Sequence, residues 1–278
     1  MIPNLLSIAG SDPSGGAGVQ ADLKTFSALG CYGMAALTAL TAQNTRGVSA
    51  VHVPPPEFLA AQLDTVFADV RVDAVKIGML ATGDMVRAVA RCLGAHPGLP
   101  VVLDPVLVAT SGDSLGAPDV VDAMLEHLLP LATVVTPNLP EAARLAGVAV
   151  PEDEDAMRAA AEALMARGAQ AVLVKGGHLA GGDAVDLLAE GGEIRFFHAR
   201  RIATPNTHGT GCTLSSAIAS YLAKGLPLAD AVDAAKSYLT GAIADSASLD
   251  VGGGPDRGGH GPVHHFHALW PAGGSEDR

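Results

Sequence analysis

The segment Thr207-His208-Gly209-Thr210-Gly211-Cys212 places two glycines and a thiol just ahead of a helical pattern of apolar residues, Leu214, Ile218, Tyr221 and Leu222. Glycines let the backbone approach an anion closely. The unpaired amides of a helix start then face that anion, and the helix macrodipole adds attraction. A phosphoryl group in transfer needs this positioning and charge stabilisation above all else. Gly209, Thr210 and Gly211 are therefore candidates for holding a phosphate, and Cys212 for acting at the reacting end. A thiol in the first turn of a helix is expected to have a lowered pKa and more thiolate. A plain helix entry with turn glycines and a buried cysteine has the same spacing, and both readings stay open at this point.

Four other clusters carry chemistry. Ser11-Asp12-Pro13-Ser14-Gly15-Gly16-Ala17-Gly18 lacks the GK[ST] ending of a Walker loop and is not GxGxxG. It reads as a tight substrate-facing loop, with more glycine than a plain turn needs. Asp22, in the helical stretch after that loop, and Gln43, at the end of the next strand-like run, are polar; the Gln43 amide offers both a donor and an acceptor, suited to the edge of an aminopyrimidine, and each residue equally suits an ordinary surface or capping position. Asn138 and Glu141, with Asp104 after the preceding strand, could hold a hydrated Mg2+, which favours oxygen ligands. The same Asn138 and Glu141 suit the cap and first turn of a short helix, and the two roles are compatible. Lys175, in Val174-Lys175-Gly176-Gly177-His178, could neutralise a nucleotide phosphate or simply be solvated. His260, His264, His265 and His267 invite a metal reading that nothing else supports.

These clusters need elements to position them. Apolar periodicity predicts strands over 4–10, 32–43, 74–78, 101–104, 133–136 and 171–175, and a hairpin pairing 185–188 with 194–198 around Gly191-Gly192. Helices are predicted over 18–29, 57–70, 84–93, 119–128, 139–145, 153–167, 211–224 and 227–244. Strands alternating with helices imply a mostly parallel sheet covered on both faces, in one domain over 1–266 with a tail over 267–278 that frays beyond Trp270. In such folds ligands bind at the carboxyl ends of strands. The segments Gly10 to Gly18, Gln43-Asn44, Gly78-Met79, Asp104-Pro105, Pro137-Asn138 and Lys175-Gly176-Gly177 gather at such strand ends.

Composition sets limits on partners. Among 278 residues, 49% are hydrophobic and 4% aromatic, which suits a parallel sheet under closely packed helices. The net charge of −12 argues against a nucleic-acid partner, so any positive field for phosphate must be local. Cys31, Cys92 and Cys212 form no CxxC pair; an odd, sparse set points to a reducing, cytoplasmic setting. No basic leader precedes the first strand, and no apolar run approaches the roughly 18 residues of a membrane span.

Taken together these motifs resemble the ribokinase-like superfamily and, within it, the hydroxymethylpyrimidine/phosphomethylpyrimidine kinases of thiamine biosynthesis. The match runs from the glycine loop through Gln20-Ala21-Asp22, Thr41-Ala42-Gln43-Asn44, Lys76-Ile77-Gly78-Met79, Asp104-Pro105-Val106, Thr136-Pro137-Asn138 and the lysine strand to His208-Gly209-Thr210-Gly211-Cys212 and His260-Gly261-Pro262-Val263. It covers residues 4 to about 266. The resemblance implies a three-layer α/β/α ribokinase-like fold with a mostly parallel central sheet. It implies transfer of the ATP γ-phosphoryl group, with Mg2+, to the hydroxymethyl of 4-amino-5-hydroxymethyl-2-methylpyrimidine, and then phosphorylation of the monophosphate to the diphosphate. Gln43 falls at the pyrimidine-reading position, and Gly10, Ala17, Asp22, Met79 and Val106 at other pocket positions. Cys212, Gly209 and Gly211 fall at catalytic positions, Asn138, Lys175 and Thr210 at nucleotide positions, and Asp104 and Glu141 at metal positions. Most relatives in the superfamily carry an aspartate base where this chain has Cys212; the cysteine is typical of pyrimidine and some pyridoxal kinases. A cysteine-type pyridoxal kinase, a bifunctional enzyme and a non-catalytic pyrimidine-binding protein are the alternatives. Relatives are often homodimers.

Overall fold

Asn4–Gly10 (β1) is a short apolar run in which six of seven residues are buried, as a strand covered on both faces requires. The structure, a computed structural model, describes residues 1–107, 119–177, 179, 182–252 and 259–270. His178, the last residue of the lysine motif, and the tail beyond Trp270 lie outside the described residues. After β1 come Gly18–Ala28 (α1), Tyr32–Asn44 (β2), Gly47–His52 (β3), Pro56–Asp69 (α2), Ala74–Ile77 (β4), Gly83–Gly94 (α3) and Val101–Leu103 (β5). Val120–Ala123 (α4), Val134–Val135 (β6), Leu139–Ala146 (α5), Glu154–Ala166 (α6) and Ala171–Gly176 (β7) follow. Asp183–Glu190 (β8), Glu193–Arg200 (β9), Thr210–Ala223 (α7) and Leu228–Ala244 (α8) complete the elements that bear on the site.

The strands form one sheet in the order β3-β2-β1-β4-β5-β6-β7-β8-β9. From β2 to β7 every neighbour is parallel; β3 at one edge and the β8–β9 hairpin at the other are antiparallel. Side chains alternate between two apolar layers. Leu6, Ile8, Ile77 and Leu103 pack under α2, α3, α5 and α6, whereas Leu5, Val102, Val134 and Leu173 pack under α1, α7 and α8. The sheet is thus sandwiched between helices, as expected.

Two elements differ from the sequence reading. β3 is absent from the prediction because it buries neither face: each of its residues is exposed or half-buried, so no alternation marks it. The helix expected over 119–128 is α-helical only through α4 and continues as a π-helical turn, Met124–Leu128. Pro130 comes two residues after it and has no N–H to return to that turn.

Strand order reverses beside β1, which has β2 on one side and β4 on the other. A crevice opens outside the carboxyl ends of strands at such a reversal. Here it is a cleft of about 930 Å3 running along the strand ends from Gln43 of β2 to Arg200 of β9.

Candidate functional site

One end of the cleft is built by β1, β2 and β4. Gly10, Ala17, Gln43, Met79 and Val106 line it. A bulge between Ala42 and Gln43 in the pairing of β2 with β3 lets the strand turn the Gln43 side chain towards the cleft. Thr41 Oγ1 lies 2.9 Å from the Ser11 carbonyl and 3.2 Å from Gln43 Oε1, tying the glutamine to the loop after β1. Met79 is pinned through its carbonyl, which accepts from Thr38 Oγ1 at 2.6 Å.

The other part is the start of α7. Gly209 has φ +80°, and a β-carbon there would collide with the Gly16 carbonyl, so only glycine makes this entry. Unlike α5, which carries a full capping box between Asn138 and Glu141, α7 begins with no side-chain cap. The Thr210 amide donates to the Thr207 carbonyl at 3.3 Å, and the amides after it start the helix without a capping side chain, the condition for holding an anion. Thr210, Gly211 and Cys212 line the same cleft as Gln43.

Three lysines line the cleft, each neutralised by an aspartate. Lys76 Nζ contacts both oxygens of Asp22 at 2.8 and 2.9 Å. Lys175 Nζ lies 2.6 Å from Asp104 Oδ1, and Lys236 Nζ 2.5 Å from Asp186 Oδ2. Burial opposes the charge on Lys175, but Asp104 and Glu141 outweigh it and hold its pKa above the ordinary lysine value. Burial likewise opposes ionisation of Asp104, yet Lys175 and Lys76 keep its carboxyl below the usual range. Glu141 has no such pairing among the described residues: burial pushes it up to about 7, Lys175 only partly offsetting this and Asp104 adding to it. Gly211 passes so close over the first of these groups that a β-carbon would sit 3.3 Å from Lys175 Nζ. A phosphate at the α7 amides would therefore meet the Lys175 ammonium beneath it.

Placement of the expected residues is mixed. Gly10, Ala17, Gln43, Met79, Val106, Asp104, Asn138, Glu141, Lys175 and the 209–212 segment all reach one cleft. Asp22 does not. It is fully buried behind the residues that line the cleft, accepting from Lys76, Ser7 Oγ at 2.6 Å and Ser216 Oγ at 2.7 Å. The lowered thiol pKa is also corrected. Burial raises Cys212 to about 11; Lys76 pulls the other way, but Asp22 and Asp104 add to the rise, and the helix start does not overcome them. The late histidines form no metal cluster among the described residues; His265 Nε2 instead pairs with Thr213 Oγ1 at 3.1 Å. Sequence reasoning gave no role to Lys76, Asp186 or Lys236. Each is a charged residue within a buried apolar run, and such a charge must be paired, which is the signal that marks them.

A doubly covered parallel sheet, with an uncapped helix start over buried ammonium groups and a small-molecule pocket beside it, defines an α/β phosphotransferase. Comparison with known proteins agrees. The family model described as phosphomethylpyrimidine kinase matches residues 12–264. A hydroxymethylpyrimidine/phosphomethylpyrimidine kinase of Rhizobium meliloti is 57% identical over 265 residues, covering 95% of this chain and 97% of the relative. Among solved structures, an ADP complex of Bacillus subtilis pyridoxal kinase superposes with a TM-score of 0.86 at 39% identity, over 96% of this chain and 99% of that one. Phosphomethylpyrimidine kinase from Clostridium difficile gives a TM-score of 0.76 at 42% identity, over 87% of this chain and all of that one. The chain belongs to the phosphomethylpyrimidine kinase family, and it is a kinase.

Proposed function

We propose that the protein transfers the γ-phosphoryl group of ATP to the hydroxymethyl of 4-amino-5-hydroxymethyl-2-methylpyrimidine, and then phosphorylates the resulting monophosphate. The observation that carries this is the shared cleft: the donor–acceptor amide of Gln43 and the uncapped start of α7, with Cys212 in its first turn, open onto one space. Gln43 reads the aminopyrimidine edge, with Gly10, Ala17, Met79 and Val106 shaping the ring pocket. The amides of residues 209–212 hold the γ-phosphate, Lys175 neutralises charge as it develops, and Asn138 and Thr210 contact the nucleotide.

Transfer is an in-line displacement with a loose transition state, so positioning and charge stabilisation dominate. Cys212 takes the proton of the attacking hydroxyl. A thiol raised to about 11 is rarely ionised at neutral pH but, once ionised, is a strong base, and Lys76 favours the thiolate. The second transfer uses a phosphate oxygen, which needs no such base.

The donor set of Asp104 and Glu141 fits Mg2+, an ion held by one or two carboxylates plus phosphate oxygens and water. When bound there, Mg2+ would supply charge neutralisation for the nucleotide phosphates. Glu141, buried and raised to about 7, is a carboxylate whose ionisation a nearby cation would favour. We place the enzyme in the cytoplasm, where its three free cysteines stay reduced.

The superposition on pyridoxal kinase at a TM-score of 0.86 favours a second reading, in which the same site also accepts pyridoxal. An ADP-release assay with each alcohol, read with mass detection of the phosphorylated products, tests both. ADP formation and mono- and diphosphate with the pyrimidine are expected; turnover with pyridoxal alone would overturn the first reading.

A further inference from the structure

The loop from Asp12 to Gly18 and the start of α7 come from opposite ends of the chain, yet one hydrogen bond joins them. His208 Nε2 lies 2.7 Å from Asp12 Oδ2, with Asp12 1% and His208 6% exposed. The same carboxylate organises its own loop. Asp12 Oδ1 accepts from Ser14 N at 2.9 Å and Ser14 Oγ at 2.7 Å, and Asp12 Oδ2 accepts from Ala17 N at 2.8 Å. Burial works against the charge on Asp12, but His208, Ser14 and Ala17 outweigh it and keep the carboxyl below its ordinary pKa. An ionised carboxylate can only accept, so His208 donates through Nε2. That use of Nε2 removes the ring as a base for the transfer.

Packing enforces the same joint. A β-carbon on Gly16 would collide with the His208 ring, and one on Gly209 would collide with the Gly16 carbonyl. Behind the loop, Lys24 Nζ donates to the Gly15 carbonyl at 2.8 Å and Gln20 Oε1 accepts from Asp12 N at 2.8 Å. Behind the histidine, its own amide donates to the Gly261 carbonyl at 3.0 Å. The loop is therefore fastened to the start of α7 at this joint. It carries Ala17 of the ring pocket, while the next residues after His208 carry the phosphate amides.

We infer that the hydrogen bond from His208 to Asp12 is a clasp that fixes the distance between the alcohol side and the phosphate side of the cleft, making both positioning residues for the transfer. The inference rests on residues 209–212 holding the transferred phosphate. A misplacement of about 1 Å at the reacting centre costs roughly 100-fold in rate, and the clasp spans the boundary where such a shift would arise.

Two substitutions of similar bulk separate the bond from the packing. His208→Gln keeps a donor to Asp12, and His208→Met does not. His208→Met is expected to lower kcat by about 10- to 100-fold with the KM of pyrimidine alcohol and of ATP within about threefold of wild type. His208→Gln should recover most of the loss, with both melting temperatures alike. Asp12→Ala, which can accept no such bond, should also lower kcat, and the Asp12→Ala/His208→Met double variant should be no slower than Asp12→Ala alone. Equal kcat in the Gln and Met variants, or losses that multiply in the double variant, would overturn the clasp. Gly211→Val, which crowds the gap over Lys175, tests the underlying reading: full turnover there defeats the phosphate assignment, whereas loss there with normal turnover in His208→Met defeats only the clasp.

Discussion

Lys76 and Asp22 face each other at 2.8 Å with no exposed side-chain surface on either, beneath the helix that carries Cys212. A pair so buried responds in stability when one member is removed. Lys76→Met leaves an uncompensated carboxylate and should destabilise the fold by about 3–5 kcal/mol, whereas the double Lys76→Met/Asp22→Leu variant should regain most of that. Urea denaturation of the single and double variants measures both. A single variant with unchanged stability and a raised KM for the pyrimidine would instead make Asp22 a substrate contact.

Gln43 should show the opposite profile. Half-buried at the cleft edge and held by Thr41, it carries little of the core. Gln43→Leu should leave the melting temperature unchanged and weaken the pyrimidine by about 1–3 kcal/mol through lost or unsatisfied hydrogen bonds, with ATP binding unaffected. Calorimetric titration of each ligand separates the two effects.

Lys175 stands under Gly211 at the start of α7, paired with Asp104. Lys175→Met should lower kcat by roughly 100- to 1,000-fold, the loss typical when one charge-stabilising donor is removed. Single-turnover kinetics with saturating ATP would show whether the loss lies in the chemical step, as expected.

The contrast between these residues shows what could be read before any coordinates. Strands β5, β6 and β7 stand out as short apolar runs because both of their faces are buried, and Asp104 and Asn138, just after the first two, and Lys175, near the end of the third, fall at strand ends for the same reason. β3 left no trace, since a strand with two open faces has no hydrophobic period. Asp22 shows what a motif leaves open, since it gives chain position and not direction: the side chain meets Lys76 and stands behind the residues that line the cleft. The Cys212 pKa was misread because the favourable helix start is local and visible in sequence, while the burial that outweighs it is assembled from distant segments.

That correction has a pH signature. With Cys212 raised to about 11, its thiolate fraction is small at neutral pH and grows as pH rises. Alkylation of Cys212 by iodoacetamide, followed by peptide mapping, should accelerate about tenfold per pH unit from 7 to 10 without a plateau. A plateau below pH 9 would show the thiol lowered by the helix start after all.

The role of Cys212 in the first of the two transfers is the central claim, and Cys212→Ala tests it most directly. Rapid-quench measurement of each transfer separately, starting from the pyrimidine alcohol or from its monophosphate, is the decisive assay. The account predicts intact pyrimidine binding, a loss of about 100- to 10,000-fold in the first transfer, as removal of a general base would give, and a much smaller loss in the second. Near-normal turnover of the alcohol, or equal losses in both transfers, would contradict it.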